Sequence, residues 1–491
     1  MKKLLFYLLC LSIPFSLYNC NKNKKSESET TDIQPETEII EVSSSSYAPV
    51  PFPKVNIPGF NFPEKEKIID SWIAENDLNK IYNHGWGIWI GLTQKTNEVY
   101  KKDTLRVYET WNTPEEIKIK LGSQNKLKST PRIRATMETP TQFHKFQVLP
   151  DTKTVETVYY DPSAAKYAID NKIFLKSVLN TMQKKGDSVR FPDKAITIKP
   201  TYKIISKDTA IANNGIYQME AWRGVNTPDT IPFPEKKWNA CVYVDINNNA
   251  TGNPSIDRGC KGSLKDHTYN LNDFIHFAID KEMAEYVNKQ KDGYNAKAGD
   301  YAILVGMHVA TRETTRWTWQ TFWWSADPDN PNFPSDGSVA SARPDKLTGP
   351  ARHYAMSVAY SMVYPAQPYS GGTSTGKPIY AFNPFLEAPF DSKTLNNGGS
   401  DNYATVNDNG TIIENKVGTR TNCMSCHAHA NYYNATIGGK PAKKFGYLGD
   451  TYVDMKAPYF DGVVKLDFAY SIGASIIDDT KSSSNDKEEY Q

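Results

Sequence analysis

The chain has 491 residues, 39% of them hydrophobic and 12% aromatic, enough for two or three ordinary domains and too apolar for an unfolded polypeptide. Its 57 Lys and Arg nearly balance 55 Asp and Glu, for a formal charge of +2. No basic field marks a nucleic-acid partner, and no Lys/Arg block marks a patch for a membrane surface.

The N-terminus reads as an export leader. Lys2 and Lys3 precede an apolar stretch from Leu4 to Leu17, interrupted by Pro14 and too short to span a bilayer. Leu17-Tyr18-Asn19-Cys20, followed by polar residues, resembles a bacterial lipoprotein signal. That resemblance implies that residues 1–20 are the signal, that Cys20 is lipidated, and that the chain sits in the cell envelope, anchored to a membrane through that lipid; simple secretion is the alternative. Removing Lys2 and Lys3 with the leader takes the formal charge from +2 to about zero. Residues 21–50 are rich in Asn, Lys, Ser, Glu and Thr and are expected to be a disordered tether.

The body is expected over 51–400 as an α+β fold, β-rich with peripheral helices. Glu64 to Ile73 opens a helix with Ile68, Ile69, Trp72 and Ile73 on one side. Gly85 to Leu92 fits both period two and a helix. Leu105 to Trp111 reads as a strand. Thr113-Pro114-Glu115-Glu116 and Asp161-Pro162 are helix starts, the second expected to run to about Lys184 and to close at Gly186. Ala195–Ile205 and Ile216–Trp222 read as strands, and so does the short segment Cys241–Val244. Asp245 to Asn249 reads as a polar turn, because Ala250 and Ile256 occupy the positions where a calcium loop needs glycine and a bidentate acid. Asn272 is expected to cap a helix to about Lys289.

The strongest β signal follows. Tyr301–Val309 is a continuous apolar run, the mark of a central strand. Arg316–Trp324 then alternates, with Trp317, Trp319, Thr321 and Trp323 on one face and Thr318, Gln320, Phe322 and Trp324 on the other. Residues 326–350 form a long Pro/Asp/Ser/Gly loop, and His353–Met362 alternates again. The tail over 478–491 is charged, Ser-rich and expected to be disordered.

The six cysteines sort by position. Cys10 lies in the leader and Cys20 takes lipid. An exported compartment permits a Cys241–Cys260 disulfide, with two buried free thiols as the alternative. The remaining two stand in Cys423-Met424-Ser425-Cys426-His427, which reads C-x-x-C-H. This is the pattern of covalent haem attachment: two thiols at the spacing of the two vinyl groups, and an imidazole placed to ligate iron from the proximal side. The competing readings are a zinc knuckle of Cys423, Cys426, His427 and His429, or a redox dithiol.

By this motif the chain resembles bacterial c-type cytochromes. Phe382-Asn383-Pro384-Phe385-Leu386-Glu387, Asn422 before the motif, and Gly306–Val309 with the Trp ladder are similar more specifically to a group of large, exported, monohaem proteins. The resemblance implies one covalent haem c and export, not a reaction. Weak helical patterning around the motif points to a haem-bearing segment over 401–477 docked on the body, not to a separate small cytochrome domain.

The ligand across the iron decides the chemistry. Met455 and His308 are the leading distal candidates; Met307, His353 and Met356 are further ones, and His429 is too close in sequence to cross to the other face. With a filled sixth position the chain passes single electrons to or from a redox protein or small carrier. With an open one it is a haem enzyme or small-ligand binder, and Arg312, Glu313, Arg316 and His308 are candidate acid–base groups. A third reading is a binding module in which haem is structural.

Overall fold

The computed structural model describes residues 47–122, 137–138, 154–229, 231–250, 255–262, 265–290, 294–373, 375–390, 404–406, 412–414, 418–438 and 449–480. Cys20, the leader, most of the tether and the tail from 481 lie outside these residues. The fold is α+β, as expected. Among the described residues no helix is long and apolar enough to cross a membrane.

An antiparallel sheet organises the body. Among the described residues it has seven strands: β1 (Thr154–Glu156), β2 (Tyr159–Tyr160), β3 (Ile196–Ile205), β4 (His276–Ala278), β5 (Tyr301–Thr311), β6 (Thr318–Trp324) and β7 (Tyr354–Ala359). The spatial order is β7-β6-β5-β3-β1, with β4 also pairing β5 and β2 also pairing β3. The central strand read from Tyr301 to Val309 is β5, and it continues to Thr311. A second sheet joins Ile216–Glu220, Ala240–Asp245, Asp257–Arg258 and Thr268–Asn270. Cys241 and Cys260 are disulfide-bonded there. The Asp245 carboxylate accepts from Asn247 N at 2.8 Å and Asn249 N at 2.9 Å, so the polar turn satisfies its own acid.

Two helices open the body, α1 (Glu66–Glu75) and α2 (Leu78–Thr93). The ambiguous Gly85–Leu92 is the buried half of α2. It is apolar on nearly every side, which erases the 3.6-residue signal that would separate helix from strand. Trp89 stacks on Phe322 at 4.3 Å, and a Cβ on Gly85 would stand 2.7 Å from Met356 Sδ. Glycine therefore lets α2 lie close against the sheet.

Directly paired strand residues share a face. The register aligns Lys199, His308, Thr321 and Ser357, and beside them Thr197, Ala310, Trp319 and Ala359. Met307, Phe322 and Met356 align on the opposite face, which α2 covers.

Several boundaries differ from expectation for identifiable reasons. Tyr47 is buried and packs edge-on against Tyr100, so the body reaches back at least to Tyr47, ahead of Pro51. The strand read over Leu105–Trp111 stops at Arg106, because the buried Glu109 carboxylate takes Arg106 N at 2.7 Å and closes a 3-10 turn over Val107–Thr110. The helix from Asp161-Pro162 is two: α3 (Pro162–Asp170) ends before Lys172, whose φ is 50°, and α4 (Lys176–Lys185) ends at Gly186. The helix expected from Asn272 is α5 (Lys281–Asn288), capped by Asp280; a 3-10 turn and β4 take up the intervening chain. The long loop over 326–350 contains a helical turn at Gly337–Ser341. Asp478 and Asp479 are tied to Lys176 and Ser177, so the ordered chain extends past the expected tail boundary.

Candidate functional site

Cys423–His427 forms one short helix, α6. Asn422 caps it, with its side-chain oxygen accepting from Ser425 N at 3.1 Å. The same amide donates to Ser361 O at 3.1 Å and Ile379 O at 2.8 Å, and the Asn422 backbone N donates to Gly449 O at 2.6 Å. Asn422 is fully buried. A single side chain thus forms the helix N-terminus and ties it to the chain following β7. Ser425 Oγ adds a bond to Thr451 O at 2.7 Å.

Both motif cysteines lie on this one turn, outside any disulfide. Cys423 Sγ donates to Ala381 O at 3.2 Å. Burial, with Glu387 nearby, pushes its pKa well above the ordinary thiol value, so it stays protonated at neutral pH.

His427 is the best-defined member. Its Nδ1 lies 2.8 Å from Phe468 O. A carbonyl only accepts, so Nδ1 carries the proton and the neutral ring keeps its lone pair on Nε2. Burial lowers the His427 pKa to about 3, which keeps the ring neutral at any ordinary pH. Nε2 makes no hydrogen bond among the described residues. Trp319 lies against the ring at 4.3 Å, tilted 38°, and Tyr470 at 5.3 Å, its hydroxyl donating to Cys426 O at 3.1 Å.

The motif packs on the sheet face that carries Trp319 and His308. His308 Nε2 meets Glu387 Oε1 at 2.9 Å, and Glu387 Oε2 accepts from Asn383 N at 2.6 Å. The Asn383 side chain donates to Thr321 Oγ1 at 3.0 Å and Phe322 O at 2.8 Å. A Cβ on Gly306 would stand 2.6 Å from Asn383 Nδ2, so glycine lets the Phe382–Glu387 turn settle on β5. Charge on His308 bears on His427, and charge on Glu387 bears on Cys423. The three stretches Gly306–Val309, Phe382–Glu387 and Asn422–His427, far apart in sequence, therefore meet.

Comparison with known proteins returns no family model, no curated relative and no solved structure that matches the chain. The site is read from its own geometry.

The donor set is of the kind a haem c would use: two cysteines outside any disulfide on one turn, a neutral imidazole with Nε2 unengaged, and aromatic rings beside it. Among the described residues no three His, Cys, Asp or Glu side chains are arranged to hold a metal ion as the zinc reading requires. His429 packs edge-on against Tyr459 at 5.3 Å, its Nε2 buried and without a partner.

The other candidates scatter. Met455 is buried in the apolar cluster that Met424 and Val464 also join, its backbone tied to Tyr369 O and to Lys465 Nζ. Met307 and Met356 face α2, away from the motif. His353 stacks on Trp324, at the other end of β6 from Trp319. Glu313 is turned to the N-terminal helices, meeting His84 Nε2 of α2 at 3.2 Å and accepting from Glu64 N, just ahead of α1, at 2.6 Å. Arg312 is held by Asp467 at 3.0 Å, and Arg316 by Gln367 O at 2.8 Å.

Sequence reasoning missed Phe468, Asp467 and the part played by Asn422. A backbone carbonyl leaves no signature in a sequence. Asn422 did leave one, since Asn immediately before a short helix is a capping pattern.

Proposed function

We propose that the chain is an exported haem c protein that passes single electrons in the bacterial cell envelope. The observation that carries this reading is the Nδ1–H bond from His427 to Phe468 O, which leaves Nε2 unengaged on the same turn as two cysteines that form no disulfide. Bound there, a haem c supplies a one-electron ferric/ferrous couple. Cys423 and Cys426 would hold it through thioethers, each S–H adding across one vinyl group, and His427 would offer Nε2 to the iron, its ring orientation set by Phe468 O. Trp319, Met424 and Phe468 keep water from that side and lower the local dielectric. A redox protein or small electron carrier is the partner, and lipid on Cys20 is the membrane anchor.

A reduced-minus-oxidised spectrum of the purified chain, followed by denaturing electrophoresis with a haem stain, tests this. Haem c bands and haem that stays with the denatured polypeptide are expected. Absence of either sinks the reading.

One observation favours a second reading, a haem enzyme or small-ligand binder. His308 is held by Glu387 through Nε2, while Nδ1 makes no hydrogen bond among the described residues. A carboxylate-held imidazole beside the motif is suited either to ligate iron or to manage a proton at an open position. Carbon monoxide added to the reduced protein separates the readings. No spectral change supports a filled sixth position and electron transfer; a rapid change that His308→Ala alters supports the second.

A further inference from the structure

Asp467 and Phe468 both adopt left-handed backbone, with φ of 49° and 67°. Residues bearing a Cβ avoid that region, and two in succession require an external constraint. The turn is also where Phe468 O is presented to His427 Nδ1.

The constraint is visible. Asp467 Oδ2 accepts from Phe191 N at 2.8 Å and from Arg312 Nε at 3.0 Å. Arg312 is fixed in turn: its backbone N donates to Ala195 O at 2.8 Å and its NH1 donates to Thr314 O at 3.0 Å. Both side chains of the ion pair are buried, at 4% and 8% exposure. On either side of the turn, Leu466 N donates to Ala430 O and Ala469 N to Leu466 O, both at 3.0 Å. Arg312 leaves the sheet at the end of β5, so the brace runs from the central strand to the loop that holds the imidazole.

We propose that the Arg312–Asp467 ion pair is a positioning device: it holds the left-handed turn at Asp467-Phe468, and through Phe468 O it fixes His427 as the Nδ1–H tautomer with Nε2 available to a metal. The consequence for iron rests on the haem reading; the consequence for the tautomer rests on the protein alone. Arg312 and Asp467 hydrogen-bond to each other and act on His427 only through Phe468 O. Buried ion pairs often contribute little net stability, and this one has a geometric task that an apolar pair of equal volume cannot perform.

The test separates positioning from mere stability. The full chain carrying Cys423→Ala/Cys426→Ala, which holds no covalent haem, is labelled with 15N-histidine, and His427→Gln assigns the His427 resonances. In that background His427 is expected to show one tautomer, with Nδ1 protonated. Asp467→Ala and Arg312→Met, each shown folded by circular dichroism, are expected to lose that single pattern and show both tautomers. Asp467→Asn, which tolerates left-handed backbone and keeps an acceptor oxygen, is expected to restore it. If Asp467→Ala does not fold, Arg312→Lys is scored by the same resonances. Folded variants with an unchanged His427 pattern overturn the proposal. The haem reading is scored separately, by the spectrum of the unsubstituted chain. If haem c is present there, Asp467→Ala keeps the covalent group but loses part of the His-ligated signal, and added imidazole recovers it.

Discussion

Trp319 lies 4.3 Å from the His427 ring, joining the central sheet directly to the motif helix. Trp319 is 4% exposed and its indole N–H is satisfied by Arg316 O at 3.0 Å, so the side chain is fixed before any group is attached. Trp319→Ala would leave a void between β6 and α6 and admit water to the imidazole. The expected cost is about 3–5 kcal/mol of unfolding free energy. Trp319→Phe should cost clearly less. Urea unfolding at neutral pH measures both, and equal losses would show that packing against His427 is not what Trp319 contributes.

Asn422 gives a second prediction. Asn422→Ala removes the cap of α6 and leaves Ser361 O and Ile379 O buried without a donor. A loss of about 2–4 kcal/mol is expected from the cap and the unmet carbonyls together. Asn422→Asp keeps the acceptor for Ser425 N but not the two donors, and should recover only part. The haem-to-protein absorbance ratio of exported chain should fall in the same order, since α6 must be formed to offer both thiols on one side. An unchanged ratio in Asn422→Ala would show that attachment does not need the preformed turn.

The disulfide gives a third. Cys241 and Cys260 are 19 residues apart, and closing a loop of that size is worth about 3 kcal/mol through the unfolded chain. Cys241→Ala/Cys260→Ala should lower stability by roughly that amount and leave the His427 environment unchanged, because the bridge lies in the other sheet. A near-ultraviolet spectrum altered at the tryptophans would contradict the second half.

How much of this was legible depended on whether the signal was local. Cys423, Cys426 and His427 declare themselves because their spacing is itself the chemistry. β5 was readable because a buried central strand is a continuous apolar run, and Asp161-Pro162 because a cap and N1 proline act within one turn. α2 was not, since burial on all sides removes its periodicity. Alternation in β6 and β7 separated two faces but did not say which one meets the motif. That is decided by α2 covering Met307 and Met356, a tertiary outcome. His308–Glu387, Arg312–Asp467 and His427–Phe468 are partnerships across the chain, invisible to any window of sequence.

The last prediction concerns acid. Burial lowers the His429 pKa to about 4, against an ordinary value near 6.5. The folded state therefore holds His429 neutral where the unfolded chain binds a proton. Between about pH 6.5 and pH 4 the unfolded state carries the extra proton, so stability falls as pH falls through that window and is undiminished above it. The slope from one such group is at most about 1.4 kcal/mol per pH unit. In chain that carries no haem, His427, lowered to about 3, adds a parallel slope that continues to lower pH. His429→Gln removes only the first contribution, and Nε2 has no partner to lose. Urea unfolding at pH 7 and pH 5 is the measurement. The variant should match the parent at pH 7, within the small change that the substitution itself makes, and should be the more stable of the two at pH 5. Equal losses on acidification would mean that His429 is protonated in the folded chain, and that the region around Tyr459 is open to water.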